Sequence, residues 1–358
     1  MTSLQYYSAK AHLLRLYDRE ARQCAFRANS TPEYQEWKRA LRVKLNDITG
    51  IARMEHCALQ PRLLETQAFA GYTREKIIIQ TEPDVWMPFF VLIPDSAQKT
   101  RRNVPVIAAH GHGSCGKFAV AGCAEIPAIQ KTIEQYNYDY GVQLVREGYQ
   151  VFCPDARGFG ERREAALQQD TDACMLSSSC LALNQMAIPL GQTVTGMWAW
   201  DLQRLIDYIE TREDCDAQRV GCVGLSGGGL QTLWLSALDD RVQCAVISGY
   251  FYGYKDSLLE LSANCSCNYV PNLWRAVDMG DLGALIAPRA LLIESGTDDP
   301  LNGARGLVNV TEQIDITRAA YRLFRHEDKL YHHIFTGEHL WHGGKTFDFL
   351  HQWLREEL

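Results

Sequence analysis

The chain has 358 residues, a length that allows either one large α/β domain or two domains of ordinary size. Its composition, 46% hydrophobic and 22% charged, is that of a globular protein and excludes a disordered chain. The net charge of −7 argues against a nucleic-acid partner, because an acidic protein gains nothing from neutralising phosphates. No apolar run approaches the roughly 20 residues needed to cross a bilayer, so no membrane partner is expected.

The first part of the chain is predicted to be helical. Thr31 as a cap, followed by Pro32 at the first helical position, is a typical start signal for a second helix. This helical pattern continues to about Ile51. We therefore predict a helical N-terminal segment, residues 1–75, that packs on a catalytic domain over residues 76–358.

From residue 76 onwards the pattern changes to short apolar runs separated by helical stretches. The runs lie at 76–80, 87–93, 104–109, 150–153, 220–225, 242–247, 290–293 and 331–335. Runs that are apolar throughout are typical of strands covered on both faces. Their alternation with helices predicts an α/β fold with a doubly wound, mostly parallel sheet. Two regions without a clean period, near 161–195 and 250–282, are interpreted as cap-like insertions.

The twelve cysteines are interpreted as reduced core residues. The N-terminus has no basic region followed by an apolar one, the pattern that would direct a chain to an oxidising compartment. Many of the cysteines also lie in apolar runs, as Cys222 and Cys244 do, where a free thiol behaves as a small hydrophobic group. We therefore expect a cytoplasmic protein.

The segment Gly224-Leu225-Ser226-Gly227-Gly228 provides the candidate nucleophile. It follows an apolar strand and precedes a helical stretch, which is the context of the nucleophile elbow in α/β-hydrolases. The elbow is a sharp turn and needs small residues on both sides of the serine. We predict that Ser226 is the nucleophile.

A serine needs a base and an acid, and on this fold they follow it in the order acid, then histidine. Asp299 lies three residues after Gly296, which ends the next strand but one, and is the favoured acid. Asp298 and Glu294 are the alternatives.

The favoured base is His339, which follows the last predicted strand. His342 is the alternative. His332 and His333 lie inside that strand and are interpreted as packing residues.

Two backbone N–H groups are expected to bind the oxyanion that develops on the substrate. One belongs to Gly227. The other is expected from the loop His110-Gly111-His112-Gly113, with His112 favoured and Gly113 as the alternative. The His-x-His pair in this loop lacks the further ligands of a zinc site, so we expect no metal and no cofactor.

Aromatic residues cluster after the strand that follows the elbow. They either bind substrate, by stacking on a sugar or enclosing an acyl group, or form the core of the cap, and the sequence favours neither. The candidates for substrate binding are Tyr250, Tyr252, Tyr269 and Trp274.

The chain resembles the bacterial α/β-hydrolases related to dienelactone hydrolase and acetyl xylan esterase. The resemblance rests on the loop 110–113, the segment 155–160, the elbow, and the segments 265–271 and 285–289, and it covers most of the chain. It implies an α/β-hydrolase fold, a triad of Ser226, Asp299 and His339, and hydrolysis of carboxylic esters without a cofactor. One departure is Gly337-Glu338-His339, since relatives often have two glycines before the histidine.

Asp155 and Arg157, within the same resemblance, are interpreted as a structural ion pair beside the elbow.

The sequence thus predicts a serine esterase that acts on a small-molecule ester, with short acetyl esters, including those of carbohydrates, as the expected substrates. The alternatives are a serine peptidase or amidase of the same fold and a non-catalytic binding module. A peptidase is disfavoured because residues 1–75 leave no room for the large extra domain such enzymes carry, and a binding module because no triad member is missing. Neither the natural ester nor the oligomeric state follows from the sequence.

Overall fold

A computed structural model describes residues 4–95, 102–261 and 264–355 of the protein. Its centre is a nine-stranded sheet with the strand order β1-β2-β3-β5-β4-β6-β7-β8-β9. The strands are β1 (Arg62–Phe69), β2 (Tyr72–Glu82), β3 (Val85–Pro94), β4 (Pro105–Ala109), β5 (Gln150–Pro154), β6 (Val220–Leu225), β7 (Val242–Ser248), β8 (Ala290–Gly296) and β9 (Leu330–Phe335).

The α-helices lie before, between and after these strands. They are α1 (Lys10–Glu20), α2 (Thr31–Thr49), α3 (Lys117–Val120), α4 (Pro127–Tyr136), α5 (Tyr140–Arg146), α6 (Asp172–Met175), α7 (Cys180–Ala187), α8 (Val194–Thr211), α9 (Gly227–Leu238), α10 (Leu273–Ala276), α11 (Met279–Ala284), α12 (Leu307–Phe324) and α13 (Thr346–Leu350).

The predicted doubly wound sheet is confirmed. Strands β4 to β9 pair in parallel, and β1, β2 and β3 form an antiparallel extension that joins the rest through β5. All eight predicted strands are present. The ninth, β1, was not predicted because its side chains are almost all exposed and its few apolar residues form no continuous run. The N-terminal helical part ends at residue 53, and β1 and β2 begin before the predicted boundary at 75.

Helices cover both faces of the sheet, as the apolar strands require. Along β7, Cys244 and Val246 pack into a cluster with α3, α4, α5 and α13. Ala245 and Ile247, which alternate with them, pack into a second cluster with α2, α8, α9, α11 and α12. A strand covered on both faces can be apolar at every position, and this is the pattern from which it was predicted.

The N-terminal segment packs on the second of these faces. In α2 the buried Tyr34 donates its hydroxyl to the backbone oxygens of Ala284 and Ala287, at 3.0 and 2.7 Å. Upstream of α2, the Arg22 guanidinium pairs with Asp281 at 2.9 Å. The cap of α2 is Ser30, whose side chain accepts from the Glu33 N–H, so the predicted cap at Thr31 is wrong by one residue.

The predicted ion pair between Asp155 and Arg157 is wrong. Asp155 follows β5 and its buried carboxylate pairs with Lys117 Nζ at 2.6 Å. Arg157, two residues on, points to α8 and pairs with Asp201 at 2.8 Å and with Glu82 at 2.7 Å. Both residues do brace the loops around the elbow, but each uses a partner that is distant in the sequence.

The two regions predicted to be insertions contain short helical segments, including α6 and α7 in the first and α10 and α11 in the second. All twelve cysteines are free. In the part of the chain that the structure describes, no helix combines the length and the apolar character that crossing a bilayer requires.

Candidate active site

Ser226 occupies a strained turn between β6 and α9. Its backbone has φ 59° and ψ −117°, a conformation that costs free energy for a residue with a side chain. The turn is also very tight. A Cβ on Gly224 would lie 2.3 Å from the backbone carbon of Gly228, and a Cβ on Gly228 would lie 2.0 Å from the Ala109 oxygen. The glycines on both sides of the serine are therefore a steric requirement of this turn.

Asp299 and His339 come together at the carboxyl ends of β8 and β9. The distance from His339 Nδ1 to Asp299 Oδ2 is 2.7 Å. The second carboxylate oxygen of Asp299 accepts the backbone N–H of Leu301 at 2.9 Å, which holds the carboxylate in place. Asp299 is buried and His339 is half-buried, so the pair is shielded from water on the acid's side.

The alternatives for these two positions lie elsewhere. Asp298 is exposed and its carboxylate accepts from the neighbouring Thr297 hydroxyl. Glu294 is buried within β8, where desolvation raises its pKa to about 7 and the Gly343 N–H donates to it. His342 is exposed, and its Nδ1 lies 3.2 Å from Nε2 of His333.

Ser226 and His339 line the same cavity, which has a volume of about 500 Å³. Gly227, the first residue of α9, also lines it. The N–H groups of the first helical turn have no partner within the helix and carry the positive end of its dipole. A cavity with a serine, a histidine and such a donor at one end has the groups that acyl transfer requires.

The loop after β4 reaches this cavity through His112. A Cβ on Gly227 would lie 2.8 Å from His112 Nδ1, so the imidazole rests against the start of α9. The Tyr138 hydroxyl donates to the His112 backbone oxygen at 3.3 Å and fixes the loop from the other side. Gly113, the alternative oxyanion donor, has φ 73° and is not among the residues that line the cavity.

His110 does not join His112. It is fully buried, and the Ala156 N–H donates to its Nε2 at 3.0 Å. Desolvation lowers the pKa of His110 to about 4, so the ring is neutral at physiological pH and serves as an acceptor inside the fold. Both rings of the His-x-His pattern pack against Phe159, but only His112 lines the cavity.

The four aromatic candidates divide into two pairs. Tyr250 and Tyr252 line the cavity, and the Tyr250 hydroxyl donates to Asn268 Oδ1 at 2.7 Å. Tyr269 and Trp274 do not line it. Their ring centroids lie 5.8 Å apart, and Trp274 borders a separate groove beside α1.

Several residues that line the cavity were not identified from the sequence. They are Tyr136, Tyr138, Asn264, Cys265, Asn268 and Leu301. They lie in irregular segments or at helix ends, and only the tertiary fold brings them beside Ser226. Two signals were available for 264–268, namely its position within the second predicted insertion and the part that residues 265–271 have in the family resemblance.

Comparison with known proteins agrees with this architecture. The chain matches the Abhydrolase family over residues 3–339. It is 29% identical over 224 residues to "Putative hydrolase YtaP" of Bacillus subtilis (strain 168), which covers 61% of this chain and 68% of that protein.

Solved structures show the same fold. A "putative acetyl xylan esterase" of Bacteroides fragilis NCTC 9343 has a TM-score of 0.75 at 18% identity, with 94% of this chain and 84% of that chain covered. A glucuronoyl esterase from Solibacter usitatus has a TM-score of 0.59 at 18% identity, with 86% of this chain and 91% of that chain covered. The α/β-hydrolase fold implied by the sequence resemblance is thereby confirmed.

Proposed function

The chain belongs to the Abhydrolase family, and from this premise we propose that it is a serine hydrolase of carboxylic esters. Ser226 is the nucleophile, His339 the general base and Asp299 the acid that orients it. The observation that carries the proposal is the 2.7 Å contact between His339 Nδ1 and Asp299, together with the cavity that His339 shares with Ser226.

The contact with Asp299 determines which nitrogen of His339 works as the base. Nδ1 donates its proton to the carboxylate, so Nε2 is left as the acceptor. Ser226 Oγ attacks the ester carbonyl carbon while Nε2 takes the hydroxyl proton. The carbonyl oxygen becomes an oxyanion. When the carbonyl reforms, the bond to the alcohol oxygen breaks, and His339 returns the proton to that oxygen. Water then releases the acyl group by the same steps.

The oxyanion is held by backbone N–H groups at the end of the cavity. Gly227 supplies the first, as the opening residue of α9. His112 supplies the second, and Gly113 remains the alternative. Donors fixed by the fold cost no reorganisation during the reaction, and one such donor contributes about 3 kcal/mol to transition-state binding.

The substrate that fits best is a short acyl ester of a carbohydrate. The cavity of about 500 Å³ holds a molecule of sugar size. Tyrosine rings and the Asn268 amide line it, and aromatic faces with nearby hydrogen-bonding groups suit a sugar ring. Proteins named as acetyl xylan and glucuronoyl esterases share the fold, which supports the same substrate class.

The test compares ester and amide substrates. We expect turnover of p-nitrophenyl acetate and acetylated xylose, weaker turnover of p-nitrophenyl octanoate, and no turnover of dipeptide amides. A fluorophosphonate probe should label the protein at Ser226. Ser226→Ala should lose both activity and labelling, while Ser177→Ala, outside the cavity, keeps both. Absence of any ester turnover, or faster cleavage of the amides, would contradict the proposal.

A further inference from the structure

Four metal-binding side chains converge beside the cavity from three separate parts of the chain. They are His112 from the loop after β4, Cys180 at the start of α7, and Cys265 and Cys267 from the segment before α10. Their ligand atoms, one imidazole nitrogen and three sulfurs, all lie within 4.8 Å of one another. In the described residues, the other eight cysteines belong to no such group.

We propose that His112, Cys180, Cys265 and Cys267 bind a zinc ion. Three thiolates and one imidazole form a common tetrahedral set for structural zinc, and the softness of sulfur favours zinc over magnesium or calcium. Tetrahedral bonds of about 2.3 Å to sulfur and 2.0 Å to nitrogen place neighbouring ligand atoms about 3.5 to 3.8 Å apart. His112 Nε2 lies 3.5 Å from Cys267 Sγ.

The surroundings of the sulfurs also suit a metal site. The Asn268 amide donates towards Cys267 Sγ at 3.7 Å, and the Ser178 hydroxyl lies 3.9 Å from Cys265 Sγ. Hydrogen-bond donors of this kind stabilise the negative charge of thiolate ligands. Cys180 and Cys267 are buried, while Cys265 and His112 are partly accessible from the cavity side, which leaves a path for the ion to enter.

Zinc at this position would tie the oxyanion loop to the cap. The loop contributes only His112, whereas all three cysteines belong to the two predicted insertions. Binding at Nε2 leaves the proton of the neutral imidazole on Nδ1, the nitrogen that rests against Gly227. This consequence for the oxyanion site rests on the proposed function, but binding of zinc does not, and the two are tested separately.

The experiment measures bound metal on the full chain without a histidine tag. We expect about one zinc ion per chain by mass spectrometry after purification under reducing conditions. Replacing zinc with Co²⁺ should give thiolate-to-cobalt charge-transfer absorption and the strong visible bands of tetrahedral cobalt. Removal of zinc should lower Tm by about 5 °C.

Matched variants locate the site. Cys265→Ser should lose most of the bound zinc, and Cys174→Ser, a half-buried cysteine outside the cluster, should keep it. If Cys265→Ser does not fold, the cobalt spectrum of the unaltered protein still decides. Reduced protein that takes up neither metal, or a disulfide between Cys265 and Cys180 or Cys267 in fresh protein, would overturn the proposal. If the unaltered protein binds zinc but hydrolyses no ester, that result would count only against the proposed function.

Discussion

His339 Nδ1 lies 2.7 Å from Asp299 Oδ2, although 40 residues separate the two in the chain. The contact forms because β8 and β9 are neighbouring parallel strands, so the loops that follow them leave the same edge of the sheet. Asp298, one residue earlier, donates its backbone N–H to the Gly337 oxygen and keeps its side chain in solvent. The backbone of this loop therefore determines which of the two carboxylates reaches His339.

Exchange of the two aspartates for asparagine tests that choice. Asp299→Asn removes the acceptor that fixes the His339 tautomer, so kcat on p-nitrophenyl acetate should fall by about 10⁴-fold. Asp298→Asn changes only an exposed side chain and should keep kcat within about twofold. Circular dichroism would establish that both variants are folded. An equal loss of kcat in the two variants would show that the acid has been misassigned.

The two histidines after β9 offer a second comparison. His339→Ala removes the proposed base, and kcat should fall on the order of 10⁴-fold or more, because a serine hydroxyl without a base is a poor nucleophile. His342 is exposed and does not line the cavity, so His342→Ala should act almost as the unaltered enzyme. Steady-state kinetics on one ester suffices, and a nearly active His339→Ala variant would rule out this base.

The divided aromatic cluster predicts a difference in KM. Tyr250→Phe removes the hydrogen bond to Asn268 at the cavity wall, so KM for acetylated xylose should rise roughly three- to tenfold. Tyr269 donates its hydroxyl to the Leu258 oxygen away from the cavity, so Tyr269→Phe should leave KM unchanged. If Tyr269→Phe raises KM as much as Tyr250→Phe does, the placement of the substrate in this cavity is wrong.

Glu294 predicts a pH dependence of stability. Desolvation raises the pKa of this buried carboxyl to about 7, whereas in the unfolded chain it is about 4.3. The folded state therefore holds a proton that the unfolded state has already lost. The contribution of Glu294 to the free energy of unfolding therefore falls as the pH rises from about 4.3 to about 7, and it stays constant above that.

Glu294→Gln replaces the titrating carboxyl by an amide, so the contribution of Glu294 to the pH dependence of stability should disappear. From pH 5 to pH 8 the free energy of unfolding of the variant, relative to that of the unaltered protein, should increase by about 2.5 kcal/mol, measured by urea denaturation. Glu213→Gln, at an exposed position, is the matched control and should show no such gain. A constant difference at both pH values would mean that Glu294 is already ionised in the folded protein.

The sequence by itself determined the features that are local in the chain. Eight runs in the sequence predicted eight strands, and the signal was clearest for β4, β5, β6 and β8, because a strand buried on both faces can be apolar along its whole length. The elbow at Ser226 was equally local, because the steric demand for glycine acts within five residues. The strand β1 lacked this kind of signal, since its exposed side chains place no demand on sequence.

Only the tertiary structure decided which distant side chains meet. Asp298 and Asp299 cannot be distinguished from the sequence, and the backbone of the loop after β8 directs only Asp299 to His339. Tyr250 and Trp274 likewise belong to one aromatic cluster in the sequence, yet they face different cavities. The cluster of His112 with three cysteines joins loops that are up to 155 residues apart. Such contacts depend on how distant segments pack together, so they cannot be predicted from the spacing of residues within one segment.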